Sequence, residues 1–273
     1  MVDALSLPVS ALLQKHSSTI ASIRTDDTSF SDLFYLRHIL EFGEEEAAAE
    51  IQSTIAWRNG AGSNVVKRAA EAFAMATADG GWNNSPVLER APHYEKIKPF
   101  ITGKQILTTS TRDNDLVYCV RAGKIDDMGL MAEVSVSELE EFFLYAKEIN
   151  CIVADQRSVQ SDRLCRVALA NDLSGVSLFN SSPDFRKALS QSSTVAAGVY
   201  PSVNRETLLL NLPKLLSALV KLFKPIFPKT VQKKLKFCNG PLKDIDDLAQ
   251  IAREGPERTK FLDQIHDIIA DEY

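Results

Sequence analysis

The sequence is poor in the residues that build metal and redox centres. Its four cysteines, Cys119, Cys151, Cys165 and Cys238, lie far apart and form no C-x-x-C pair, which excludes a zinc ribbon or a thioredoxin-type motif. Isolated cysteines of this kind read as small core residues in a reducing compartment. Histidine is as scarce. His16, His38, His93 and His266 include no pair at i, i+3 or i, i+4, so a helical metal pair is absent. No G-x-S-x-G nucleophile elbow occurs. Long apolar runs are missing too. The longest stretch without a charged residue, Ala188 to Asn204, carries four serines and an asparagine, whereas a spanning helix needs about 20 mostly apolar residues. Asp3 stands where a secretory leader would carry basic residues. The expected setting is therefore cytoplasmic or peripheral to a membrane, or organellar if a transit peptide has been removed.

What is present is ordinary in amount and uneven in distribution. Hydrophobic residues make up 45% of the 273 and charged residues 25%, as in an average globular protein. A chain of this length buries about 70–75% of its unfolded surface, enough for a core that encloses a cavity. A net charge of −5 argues against a nucleic-acid partner. Yet Thr207 to Lys243 holds eight lysines and no acidic residue. That segment carries +8, so the remainder carries −13. Such segregation implies one basic face that meets an anionic partner.

The chain divides by pattern. Residues 1–80 read as a helical domain, with helices over Asp32–Leu40, Glu44–Trp57 and Asn64–Thr77. Strong helix formers and apolar residues at helical spacing carry that reading. Asp79-Gly80-Gly81 and the loop to Pro86 break the chain. Residues 86–273 then alternate strands with helices, the signature of an α/β layer fold. Strands are expected at Gln105–Thr109, Asp115–Arg121, Leu164–Ala170, Thr207–Leu210 and Leu235–Cys238. Helices are expected at Ser137–Ala154, Asp184–Val195 and Leu212–Lys224, with an acidic helical tail from Asp244.

Candidate chemistry is thin. Gly60-Ala61-Gly62 follows a helix and lacks a third glycine, so it reads as a helix end and turn. Glu138, Glu140, Glu141 and Glu148 read as a solvated helix face and not as paired catalytic carboxylates. The expectation is a binding protein and not an enzyme. The informative segment is Leu212 to Phe227, LPKLLSALVKLFKPIF. On a helix, Leu215, Leu216, Leu219, Val220, Phe223, Ile226 and Phe227 share one side, while Lys214, Lys221 and Lys224 share the other. Such a helix can lie in a membrane interface with its lysines on anionic head groups.

The surrounding run, Thr207 to Phe237, resembles the signature of the CRAL-TRIO lipid-binding family. Asn211, Pro213, Lys224, Pro225, Thr230 and Lys233 match it in order and spacing. Asp172-Leu173-Ser174-Gly175-Val176-Ser177-Leu178, Tyr200-Pro201 and Leu116 to Asp126 resemble its other elements. Tyr35-Leu36-Arg37 and Phe42 through Trp57-Arg58 resemble its N-terminal helical domain. The resemblance covers about residues 30–240.

That resemblance implies a mixed sheet with helices that enclose an apolar lipid cavity, and a gate helix that opens onto a membrane. It places the cavity at Tyr118, Val167, Leu169, Leu178, Tyr200 and Leu210, and the lipid head group at Thr230 and Lys233. The membrane-contacting gate helix is then Leu215, Leu216, Leu219, Val220, Phe223, Ile226 and Phe227 with Lys221 and Lys224. The implied partners are one bound lipid and a membrane surface with anionic lipids; no cofactor, metal or nucleic acid is implied, and no protein partner is identified. This sequence also departs from the family. Ser202 replaces a glutamate after Tyr-Pro, an arginine of the helical domain falls at Leu40, and Val167 and Leu169 stand where phosphatidylcholine-binding members carry hydroxyls. Phosphatidylinositol or another acidic phospholipid is the leading ligand, an isoprenoid such as tocopherol or carotenoid the alternative. A lipid-sensing regulatory module is the alternative role.

Overall fold

The computed structural model describes residues 7–25, 29–103, 105–110, 115–172, 181–210 and 235–238. Helices come first: α1 (Val9–Lys15), α2 (Ser17–Ile23), α3 (Asp32–Phe42), α4 (Ala47–Asn59) and α5 (Ser63–Ala76). Helix α3 starts where Ser31 accepts the amide hydrogen of Phe34, and Asp32 sits in its first turn, where negative charge suits the helix dipole. Gly43 ends it at φ 81°, a conformation that side-chained residues resist. The expected helix from Glu44 therefore begins three residues later, and Glu44 instead bonds the His16 ring at 2.8 Å. Gly62 closes the α4–α5 turn against Trp57. A Cβ there would meet the indole at 2.5 Å, which explains the glycines without any phosphate cradle.

Two apolar cores form. Leu12, Ile20, Leu36, Ile39 and Ile51 make one among α1–α4, joined by Leu164. Val65, Ala69 and Ala72 of α5 belong to the other, with the sheet. The cores thus divide at the turn before α5, whereas the sequence pattern changes at residues 79–86. Burial explains the difference: α5 lays its alanine stripe against the long α9 introduced below.

After α6 (Ser85–Glu89) and α7 (Tyr94–Ile97) come β1 (Ile106–Ser110), β2 (Leu116–Arg121), α8 (Asp127–Glu133), α9 (Val136–Ser161), β3 (Val167–Asp172), α10 (Pro183–Val199), β4 (Asn204–Leu210) and β5 (Leu235–Cys238). The strands form one mixed sheet in the order β1-β2-β3-β4-β5. The β1–β2 pair is antiparallel and the other pairs are parallel. Tyr118 pairs with Leu169, and Leu169 with Thr207. Leu116, Tyr118, Val120 and Val167 share a core with Phe143, Ile149 and Val153 of α9 and Phe185, Ala188 and Ala196 of α10. Val117, Cys119, Ala168, Ala170 and the Arg121–Asp172 ion pair alternate with them and are also buried. Helix α9 opens with a capping box of Ser135 and Glu138 and runs about 39 Å.

One side chain joins these parts. Arg37 of α3 is buried. Its Nε donates to Asp155 of α9 at 2.7 Å. Its Nη1 donates to the Ser202 carbonyl at 3.0 Å, and its Nη2 to the Cys165 carbonyl at 2.9 Å and the Ser158 hydroxyl at 3.4 Å. Three segments of the sheet domain are held by one planar fork. Ser202, at φ 51°, is fixed further by Glu41, which accepts from its amide and hydroxyl at 3.2 Å. Replacing Arg37→Leu strands Asp155 and two buried carbonyls. We expect a loss of about 3 kcal/mol or more, read as a lower urea midpoint. Arg37→Lys should recover part of it, because an ammonium cannot span three segments at once.

Candidate functional site: a polar-floored cleft behind the sheet

Four of the six expected cavity residues meet at one place. Tyr118, Val167, Leu169 and Tyr200 line a cleft of about 300 Å³ between the sheet, α9 and the end of α10. Register explains the meeting. Tyr118 and Leu169 are paired neighbours on β2 and β3, and Val167 lies two residues before Leu169 on the same face. Tyr200 ends α10 and sits edge-on to Trp57. Leu210 closes β4, of which the structure describes the backbone at that point. Leu178, Leu215, Leu216, Leu219, Val220, Lys221, Phe223, Lys224, Ile226, Phe227, Thr230 and Lys233 lie outside the described residues.

The cleft is less apolar than expected. Lys147, Asn150 and Asn204 share its lining with Ala196 and Val203. Lys147 donates to the Ser192 hydroxyl of α10 at 2.9 Å. Burial pulls its amine down to about 7, and Glu140 offsets part of that. Asn150 accepts from the Thr108 hydroxyl at 3.1 Å. The Tyr118 and Tyr200 hydroxyls are buried with no hydrogen-bond partner. Burial raises both phenols, and at Tyr200 the Glu148 carboxylate adds to it. Sequence reasoning missed Lys147 and Asn150. The signal lay in α9, where Phe143, Lys147, Asn150 and Ala154 fall in one helical stripe, so a lysine shares the face of a buried phenylalanine.

A second opening, a groove of about 580 Å³, separates α3 from α9 and shares Tyr200 and Val203 with the cleft. Arg37, Arg58, Glu148 and Asp155 line it. Glu148 is buried and takes both Arg58 nitrogens, at 2.7 and 3.0 Å. The solvated-face reading of the α9 glutamates therefore fails at Glu148, because α4 covers it. His38, also on the groove, bonds the Phe34 carbonyl through Nδ1 at 2.8 Å and the Thr54 hydroxyl through Nε2 at 3.1 Å. Among the described residues no group of histidines, cysteines and carboxylates is placed to hold a metal ion, and no helix is long and apolar enough to cross a membrane.

The CRAL/TRIO domain family model matches residues 101–252, more than half of the chain. The chain belongs to the CRAL/TRIO family. As a CRAL/TRIO protein it is, in general terms, a lipid-binding and lipid-transfer protein. A solved structure entitled "Crystal structure of Sfh5" has the same fold, with a TM-score of 0.53 and 13% identity over 84% of this chain and 76% of that one. A comparison with the curated proteins finds no match. The mixed sheet with flanking helices agrees with the architecture expected for the family.

The buried His38 makes acid stability testable. Burial is the main cause that lowers its pKa from 6.5 to about 4, and Arg58 assists. The unfolded chain takes up this proton near pH 6.5 and the folded chain only near pH 4. Stability is therefore lost as pH falls through that window, by about 2–3 kcal/mol between pH 7 and 4.5. In His38→Gln, the difference between urea unfolding energies at those two pH values should shrink by that amount.

Proposed function

We propose that this CRAL/TRIO protein is a carrier that takes one lipid from a membrane and releases it to another. The observation that supports this reading best is the cleft itself, where apolar strand residues and converging polar groups share a lining. A ligand with an apolar body and a polar end suits such a site. Extraction from a bilayer has to replace many methylene contacts, each worth about 0.8 kcal/mol, so an enclosed apolar path must continue from the polar floor.

The entry route is proposed from sequence. Leu212 to Phe227 supplies an apolar side for the bilayer and lysines for its head groups. Docking on an anionic surface comes first, opening of this gate segment second, exchange of one lipid third. No step needs a catalytic residue. An acidic lipid is the proposed cargo class, because Thr207 to Lys243 carries eight lysines and no acidic residue, and Lys147 lines the cleft. Phosphatidylinositol with its phosphate at Thr230 and Lys233 is one candidate within that class.

Two measurements test the reading. Protein incubated with vesicles of total cellular lipid, then re-isolated, should carry one lipid per chain by native mass spectrometry. A folded, vesicle-docking protein that emerges empty would favour a regulatory module. Replacing Leu219 and Phe223 by Asp should abolish vesicle association while the circular dichroism spectrum stays unchanged. Normal association by that variant would remove the gate segment from the mechanism.

A further inference from the structure

We propose that the cleft holds the carboxylate end of a single-chain lipid acid, in preference to a lipid alcohol or a phospholipid head group. This rests on the carrier reading above and specifies its ligand.

Donors with unspent hydrogens share this lining. The Tyr118 hydroxyl is buried in the cleft wall with no partner, and a buried hydroxyl without one is a free-energy cost that a bound acceptor would relieve. The Tyr200 hydroxyl is not among these donors, because the Glu148 carboxylate acts on it from the groove side. Lys147 spends one N–H on Ser192 and keeps two. Asn150 accepts from Thr108 through its oxygen, which leaves its amide hydrogens to donate. Among the lining groups, Asn204 adds an amide of either polarity.

A carboxylate offers about four acceptor sites on two oxygens, which matches this set. A quaternary ammonium would face Lys147 with like charge. The lining is rich in donors, which a carboxylate needs and which leave the ring hydroxyls of an inositol phosphate short of acceptors. Val167, Leu169, Ala196 and Val203 then receive the first methylenes. The titratable and polar groups around Lys147 are Glu140 on its own helix, Tyr118 from β2, and Ser192 and Tyr200 from α10 and its end. An anion among them favours the ammonium form over the neutral amine that burial promotes.

The test uses the full, delipidated chain with three probes: oleate, oleyl alcohol and vesicle-borne phosphatidylinositol. Oleate should bind about tenfold more tightly than oleyl alcohol or more, the worth of one charge-assisted hydrogen bond. Lys147→Met should bring oleate to the level of the alcohol. Tyr118→Phe should act in two directions at once. It should raise the melting temperature of the empty protein, since an unpaired hydroxyl is removed, and weaken oleate several-fold. Equal binding of acid and alcohol, an oleate affinity that survives Lys147→Met, or tighter binding of phosphatidylinositol than of oleate would each overturn the carboxylate assignment while the carrier reading stands. If no probe binds, the carrier reading falls and the assignment falls with it.

Discussion

The structure depends on one buried guanidinium. Arg37 reaches from the helical domain to Asp155 and Ser158 on α9, to the carbonyl before β3 and to the turn before β4. Each contact alone is a modest hydrogen bond. Together they fix where α9 stands relative to two strands, because a planar fork with five donors has little freedom once four acceptors are engaged. The same clamp holds Ser202 in a left-handed backbone conformation with the help of Glu41. The turn after Tyr200-Pro201 thus draws a carboxylate from α3. That turn also sets Tyr200, the wall common to the cleft and the groove.

Cleft and junction handle polar groups in opposite ways. At the junction every strong group is spent: Arg58 on Glu148, Arg37 on four oxygens, His38 on a carbonyl and a hydroxyl. Such satisfaction gives rigidity and a single arrangement. In the cleft the Tyr118 phenol lacks a partner and burial holds the Lys147 amine well below its usual range. Local violation of that kind marks sites whose order serves binding and not stability. A rigid junction beside an unsatisfied cleft suits a carrier, which must keep its frame while its contents change.

Much of the fold was legible because it is written in local pattern. Five strands stand within three residues of their expected starts and two of their expected ends, since alternation and β-branched runs are local signals. The misplacements have tertiary causes. Expected from Leu164, β3 begins at Val167, because Ser158 takes the Cys165 amide and Arg37 its carbonyl, so no ladder can form there. Helix α9 runs seven residues past its expected end. Asp155 and Arg157 look like the polar edge of a helix, yet Arg37 and Ser110 pair with them inside the protein.

The sequence by itself determined the family, the five strands and the longer helices, and that Tyr118, Val167 and Leu169 share one face through the two-residue period of a strand; the short helices α1, α2, α6, α7 and α8 escaped it. Only the tertiary structure decided that α5 joins the sheet core, that Glu148 is buried against Arg58, and that Lys147 and Asn150 floor the cleft. The reason is distance along the chain. Periodicity reports which side of an element is apolar, but the partner of a lone charge on that side is set by an element 90 residues away, and no local pattern records it.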